Sequence, residues 1–160
     1  MTMRIARIVS GGQTGVDLAA LDAALALGVP CGGWVPRGRF NEDGLIAAHY
    51  PVQETSSAKL AQRTQWNVRD SDATLILARG PLVGGSALTE RLAREQGKPC
   101  LHVDLAAVPV DAAPARILRW LATLDGTTLN VAGPRRSNDP EIYDIAYRVI
   151  AAVLRANTER

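Results

Sequence analysis

Aromatic side chains are scarce in this sequence, only 4% of 160 residues. Single-stranded nucleic acid is held largely by stacking bases on such rings, so a nucleic-acid polymer is a poor candidate partner. Charge of one sign is scarce too. A formal net charge of +2 creates no field that demands nucleic acid or an anionic membrane. No apolar run approaches the roughly 18 residues of a membrane span, and the opening MTMRIARIVSGG breaks too soon for a secretion signal. The two cysteines, Cys31 and Cys100, form no CxxC pair and have only two histidines for company, which removes the usual zinc spacings. Each follows a proline and enters an apolar run, the setting of a buried strand thiol. These absences predict a reduced, cytoplasmic protein with no structural metal and no membrane segment.

What remains is ordinary globular composition, 47% apolar and 21% charged. Its length suits a single domain over residues 1–160 with one substantial core. Two hydrophobic periods alternate along the chain. Strands are predicted over 4–10, 29–34, 73–79, 99–105 and 128–133. Helices are predicted over 14–28, 56–71 with Ser56 or Ser57 as N-cap, 87–97, 112–125 and 140–156 with Pro140 at its start. Residues 35–44 read as loop, and 45–56 fit no single period. Strands alternating with helices imply right-handed parallel crossovers. The predicted fold class is therefore α/β: a doubly wound, mostly parallel, Rossmann-like sheet of about five strands.

In such sheets a ligand sits beyond the carboxyl ends of the strands. Three polar or glycine-rich loops fall there. The first, Ser10, Gly11, Gly12, Gln13, Thr14 and Gly15, carries the spacing of GxGxxG with serine in first place, between a strand and a helix. Unpaired N–H groups and the positive dipole end of a helix start attract an anion. The dipole is worth only about 0.3–1 kcal/mol, against roughly 8 kcal/mol for micromolar binding, so other groups must help. Two absences narrow the ligand. There is no GK[ST], which argues against a Walker-type site. Nor is there an acid about 20 residues on to hold an NAD ribose. A single phosphate or mononucleotide-like group fits better.

The second loop, Gly84, Gly85 and Ser86, repeats the device, with Thr89 one turn into the next helix. The charged loop PRGRFNEDG contributes Arg37, Arg39, Glu42 and Asp43, its arginines suited to phosphate through paired donors. Arg63, Asn67 and Asp70 share one face of the middle helix, and Arg63 stands nearer the ligand edge than Asp70. The last loop supplies Asn130, Gly133, Arg135 and Ser137, with Asn130 alternatively capping the strand end. His102 reads as a satisfied strand residue. Ile142, Ile145, Val149 and Leu154 form an apolar stripe that fits either core packing or a contact between copies of the chain, and Trp66 offers a second such surface. A homo-oligomer is expected on these grounds, though core packing explains the stripes equally well.

Taken together, SGGQTGVDLAALDAA, GGWVPRGRFNEDG, RTQWNVRDSDATLIL, GGSALT and LNVAGPR resemble the "putative molybdenum-cofactor carrier" family from Ile8 to about Tyr147. That family is similar in fold to the Rossmann-like, lysine-decarboxylase-like group, which includes cytokinin-activating phosphoribohydrolases. The resemblance implies that Ser10 to Gly15, Gly84 to Ser86 and Thr89 meet the ligand's phosphate, that Arg37, Arg39, Glu42 and Asp43 lie in the matching loop, and that Arg63 and Thr64 match the middle-helix motif. It implies molybdenum cofactor, a phosphate-bearing pterin, as ligand. The enzyme branch carries PGGxGTxxE. Here Val83 to Glu90 lacks the proline and the third glycine, so Glu90 does not inherit the catalytic place. The expected function is therefore a non-catalytic carrier of molybdenum cofactor or a nucleotide-like ligand. The alternative is a nucleoside 5′-monophosphate N-glycosidic hydrolase using Asp43, Glu42 or Glu90.

Overall fold

In the computed structural model, which describes residues 2–159, RIV at Arg7–Val9 forms strand β1 and the following loop feeds helix α1, Val16–Ala26. Cys31–Gly32 is β2 and Trp34–Val35 is β3. Phe40–Asn41 (β4) and Gly44–Leu45 (β5) make a small hairpin, and Gln53–Glu54 is β6. Helix α2 covers Leu60–Arg69, strand β7 Ala73–Ala78, helix α3 Gly84–Glu95 and strand β8 Cys100–Asp104. Helix α4 is Ala113–Leu121, strand β9 Thr128–Ala132 and helix α5 Ile142–Thr158.

Five of these strands form one wholly parallel sheet in the order β2-β1-β9-β7-β8. The chain builds β1 and β2, then β7 and β8, and slots β9 between the two pairs. Ile8 lies opposite Leu129, and Leu75 opposite Val131. Every residue of β7 is buried, as expected where a parallel strand is covered on both faces. Helices α1, α5 and α4 pack together, as do α2 and α3, which makes the sheet doubly wound. Along α1, Ala19, Ala20, Ala23 and Ala24 are fully buried, and their small side chains let α5 approach closely. One core cluster runs from Met3 to Leu154. Ile142, Val149 and Leu154 lie inside it, so core packing accounts for that stripe.

Several predicted boundaries shift, each for a visible reason. Helix α2 starts at Leu60, behind an extended Lys59, rather than at Ser56 or Ser57. Those serines serve a turn instead: the Ser57 N–H donates to Gln62 Oε1 (2.9 Å), its Oγ accepts from Lys59 N–H (3.1 Å) and its carbonyl accepts from Arg37 N–H. Helix α3 begins at Gly84, ahead of the predicted 87, so Gly84 to Ser86 form its first turn. Residue Pro140 precedes α5, whose first residue is Ile142. The second predicted strand divides: Cys31–Gly32 joins the main sheet, while Trp34–Val35 pairs with Gln53–Glu54. Cys31 is buried and Cys100 only half-buried, both as free thiols; burial pushes the Cys100 thiol up to about 11. His102 is not satisfied, because its Nε2 is buried without a hydrogen-bond partner.

Arg39 is the fold's own clamp. It donates to the backbone carbonyls of Ile46 (3.1 Å), Val52 (3.3 Å), Ala47 (2.7 Å) and Tyr50 (2.8 Å). The irregular 46–52 segment has few ladder bonds, and this one guanidinium gathers its carbonyls. Arg39→Ala should therefore lower stability by about 2 kcal/mol in urea unfolding, since hydrogen bonds to charged groups are worth more than neutral ones. Arg39→Lys should recover less than half, because a single ammonium lacks the planar fork.

Candidate functional site

Strands β1, β9 and β7 are neighbours, so the loops leaving their carboxyl ends meet at one rim. They enclose a cavity of about 260 Å³. Gly11, Gln13 and Asp17 line it from the first loop and α1, Arg63 and Thr64 from α2, Gly84 to Ser86 and Thr89 from α3, and Asn130 and Gly133 from β9 and its exit. Arg79, Leu82, Val83, Arg135 and Asp139 complete much of the wall.

The two helix starts differ sharply. At α1 the chain satisfies its own donors. The N–H of Gly12 meets Ser10 Oγ at 3.4 Å, that of Gln13 meets Asp17 Oδ2 at 3.3 Å, and that of Thr14 meets Gln13 Oε1 at 3.1 Å. Val16 N–H donates to the Pro134 carbonyl at 3.3 Å. The first loop is therefore not the open anion cradle that its spacing suggests.

At α3 the first turn has no side-chain cap and no acid. Ala87 N–H bonds back to the Val83 carbonyl at 3.3 Å, and the preceding amides of Gly84, Gly85 and Ser86 fall ahead of the helix's own acceptors. Nothing lies within 4 Å of where a Cβ on Gly85 would stand. Gly85 has no positive φ, and alanine there would favour the helix by roughly 0.8–1 kcal/mol. The fold does not require glycine at 85, which leaves room in front of those amides. Thr89 does not aim a free donor at this space, since its hydroxyl donates to the Gly85 carbonyl at 2.8 Å.

Facing this turn is Arg63, only 9% exposed. Its Nη1 donates to the Gly11 carbonyl at 2.9 Å, the one hydrogen bond it makes to described residues. Gly11 permits this crossing: a Cβ there would stand 2.8 Å from Arg63 Cδ and Nε and 3.0 Å from Asp17 Oδ2. Arg63 and Asp17 thus stand side by side over one glycine. Burial pushes the Asp17 carboxyl up to about 6, against the pull of the Arg63 charge and the N–H groups of Gln13 and Gly11. Burial also lowers Arg63, which Asp17 partly offsets.

Other predicted residues stand elsewhere. Ser10, Gly12, Thr14 and Gly15 lie behind the cavity wall rather than on it. Arg37 is exposed and Arg39 is clamped on carbonyls, and neither lines the cavity. Asp43 pairs with Arg136, with Oδ2 2.7 Å from Nη1, which holds its carboxyl low. Glu42 accepts from the hydroxyls of Ser137 and Thr14, and those bonds hold it down to about 2. The 40–45 hairpin is a latch joining the first and last loops. Glu90 pairs with Arg94 along α3. Asn67 lines the cavity, yet both ends of its amide bond the Trp34 backbone, at 2.8 and 3.0 Å. Asp70 takes Trp34 Nε1 and Arg69, away from the rim. Asn130 donates to Thr74 Oγ1 at 3.2 Å. Gly133 gives β9 its exit, since a side chain there would collide with the Leu77 carbonyl and Val16.

The sequence reading names neither Asp17 nor Arg79 among the binding residues. Arg79 lines the cavity while pairing with Asp139 at 2.8 Å. Its position directly after the most apolar strand was an available signal. For Asp17 the signal was a lone acid in the first turn of an otherwise apolar helix. Among the described residues no group of three or more His, Cys, Asp or Glu could hold a metal ion, and no helix is long and apolar enough to cross a membrane.

Comparison with known proteins adds two matches. Residues 8–154 match the model of the "Circularly permutated YpsA SLOG family". A crystal structure from Syntrophus aciditrophicus SB, named "Putative molybdenum carrier protein", is 45% identical, with a TM-score of 0.93 over 96% of this chain and 98% of that one. No curated protein matches.

Proposed function

This chain belongs to the circularly permutated YpsA SLOG family, and from that premise and the cavity's chemistry we propose that it binds and carries a phosphorylated small molecule, either molybdenum cofactor or a nucleotide-like ligand. The observation that carries the reading is the uncapped start of α3 opening onto the same cavity as the buried Arg63. The amides of Gly84, Gly85 and Ser86 supply donors for phosphate oxygens, and Arg63 supplies a permanent charge in a drier setting where it counts for more. Leu60, Pro81, Leu82 and Val83 give one side of the cavity an apolar wall on which a flat ring can rest. The name of the 45% identical relative favours molybdenum cofactor over a plain nucleotide.

Isothermal titration with anaerobically released molybdenum cofactor and with nucleoside monophosphates tests this. At least one class should bind, and Arg63→Met should weaken that binding about 10–100-fold, the worth of a charge-assisted hydrogen bond. If neither class binds, the reading is wrong.

One observation keeps the hydrolase alternative in view. Glu42, Asp43 and Glu90 are occupied elsewhere, but Asp17 places a carboxyl with a raised proton affinity inside the cavity, as a general acid or base would need. Release of ribose 5-phosphate from a nucleoside monophosphate, lost in Asp17→Asn, would establish it.

A further inference from the structure

Asp17 is 5% exposed, yet it lines the cavity. Its Oδ2 accepts one long bond from the Gln13 N–H, 3.3 Å, the Gly11 N–H also faces the carboxylate, and no described side chain donates to Oδ1. A buried carboxylate with so little compensation is costly, and Arg63 beside it spends its bond on the Gly11 carbonyl. What completes Asp17 must come from the cavity. A metal ion or an ammonium group is disfavoured there, because the Arg63 guanidinium already stands alongside and would repel it. Neutral N–H donors are the chemistry left. A carboxylate accepts most effectively from two adjacent donors, one to each oxygen, and Oδ2 keeps a lone pair beyond the one it lends to Gln13.

We propose that Asp17 selects the ligand's ring by accepting the two adjacent N–H donors of a 2-amino-4-oxopyrimidine edge, the edge shared by pterins and guanine. The inference rests on the reading above, in which the ligand's phosphate meets the start of α3. It adds which ring the protein prefers and which residue decides. Adenine lacks the edge, since its ring nitrogen there is an acceptor. Xanthine and lumazine carry a carbonyl in place of the 2-amino group and would set an oxygen against the carboxylate.

Two probe pairs differing at that one position test the assignment: GMP against XMP, and 6-hydroxymethylpterin phosphate against its lumazine counterpart, by calorimetry at pH 7.5. In each pair that binds, the wild type should prefer the amino member by about 10–100-fold. Asp17→Asn turns one acceptor into a donor without changing shape, so it should weaken the amino member and strengthen the oxo member, reversing the order. A structural role alone would weaken both alike. A melting curve establishes that the variant is folded; if it is not, the wild-type pairs decide by themselves. Wild-type binding within threefold across both pairs, or an order unchanged in a folded Asp17→Asn protein, overturns the proposal. So does binding of inorganic phosphate alone with none of the four probes, although the phosphate site then stands. Failure of inorganic phosphate and all four probes together would remove the phosphate reading as well.

Discussion

Gly15→Ala should lower the free energy of unfolding by about 3–5 kcal/mol. Gly15 precedes α1 at φ 80° and ψ −127°, a region essentially closed to residues with a side chain and worth about 1–3 kcal/mol of strain by itself. Its missing Cβ faces the Pro134 carbonyl, with the Arg135 Cα 3.1 Å away. Backbone cannot swing aside as a side chain does. The same approach lets Val16 N–H reach that Pro134 carbonyl at 3.3 Å, so the methyl would wedge apart the loops after β1 and β9. Urea unfolding followed by far-ultraviolet circular dichroism checks the value. Gly85→Ala is the matched control: it meets open space and should leave stability level or slightly raised. A Gly15→Ala loss under 1 kcal/mol would show that the two loops are not tightly joined.

The second large effect runs the other way. Asp17→Asn should stabilise the ligand-free protein by about 2 kcal/mol at pH 8, and by almost nothing near pH 4. The Asp17 carboxyl moves from 3.8 to about 6 on burial, and each unit is worth about 1.4 kcal/mol. Across that window the folded chain holds the proton more firmly than the unfolded chain. Stability therefore falls as pH climbs from about 4 to about 6, and the full penalty persists above it. The variant's amide keeps one acceptor oxygen where the carboxylate has two, which trims the gain. For a chain of this size about 2 kcal/mol corresponds to roughly 4–8 °C in Tm, readily resolved by calorimetric scans at the two pH values. Equal gains at both would assign the effect to packing rather than to ionisation. A site that costs stability when empty is what binding residues commonly do.

Much of this architecture was readable in the sequence because the strongest signals are local. The run ATLILA at Ala73–Ala78 could hardly be anything but a central strand, and Gly28 and Gly97 end their helices as their positions suggest. That three loops would share a rim followed from alternation alone. What stayed hidden depends on contacts between distant segments. Nothing near Arg39 announces that it will be consumed by carbonyls up to thirteen residues away. Nothing in the SGGQTG loop shows that Gln13, Ser10 and Asp17 will absorb its amides. Composition made the 36–44 arginines attractive partners for phosphate. The structure instead brings Arg79, from directly after β7, to the cavity wall alongside the expected Arg63 and Arg135.

The place of β9 has a consequence for how the protein comes into being. Synthesis delivers β1 with β2, then β7 with β8, but the strand that pairs with both halves, Thr128–Ala132, emerges only after all four. Until then β1 and β7 have bare edges and no seam between them, a condition that favours slow, nonlocal closure and exposes the nascent chain to mispairing. The chamber opens across that seam, so it cannot take shape before β9 is in place.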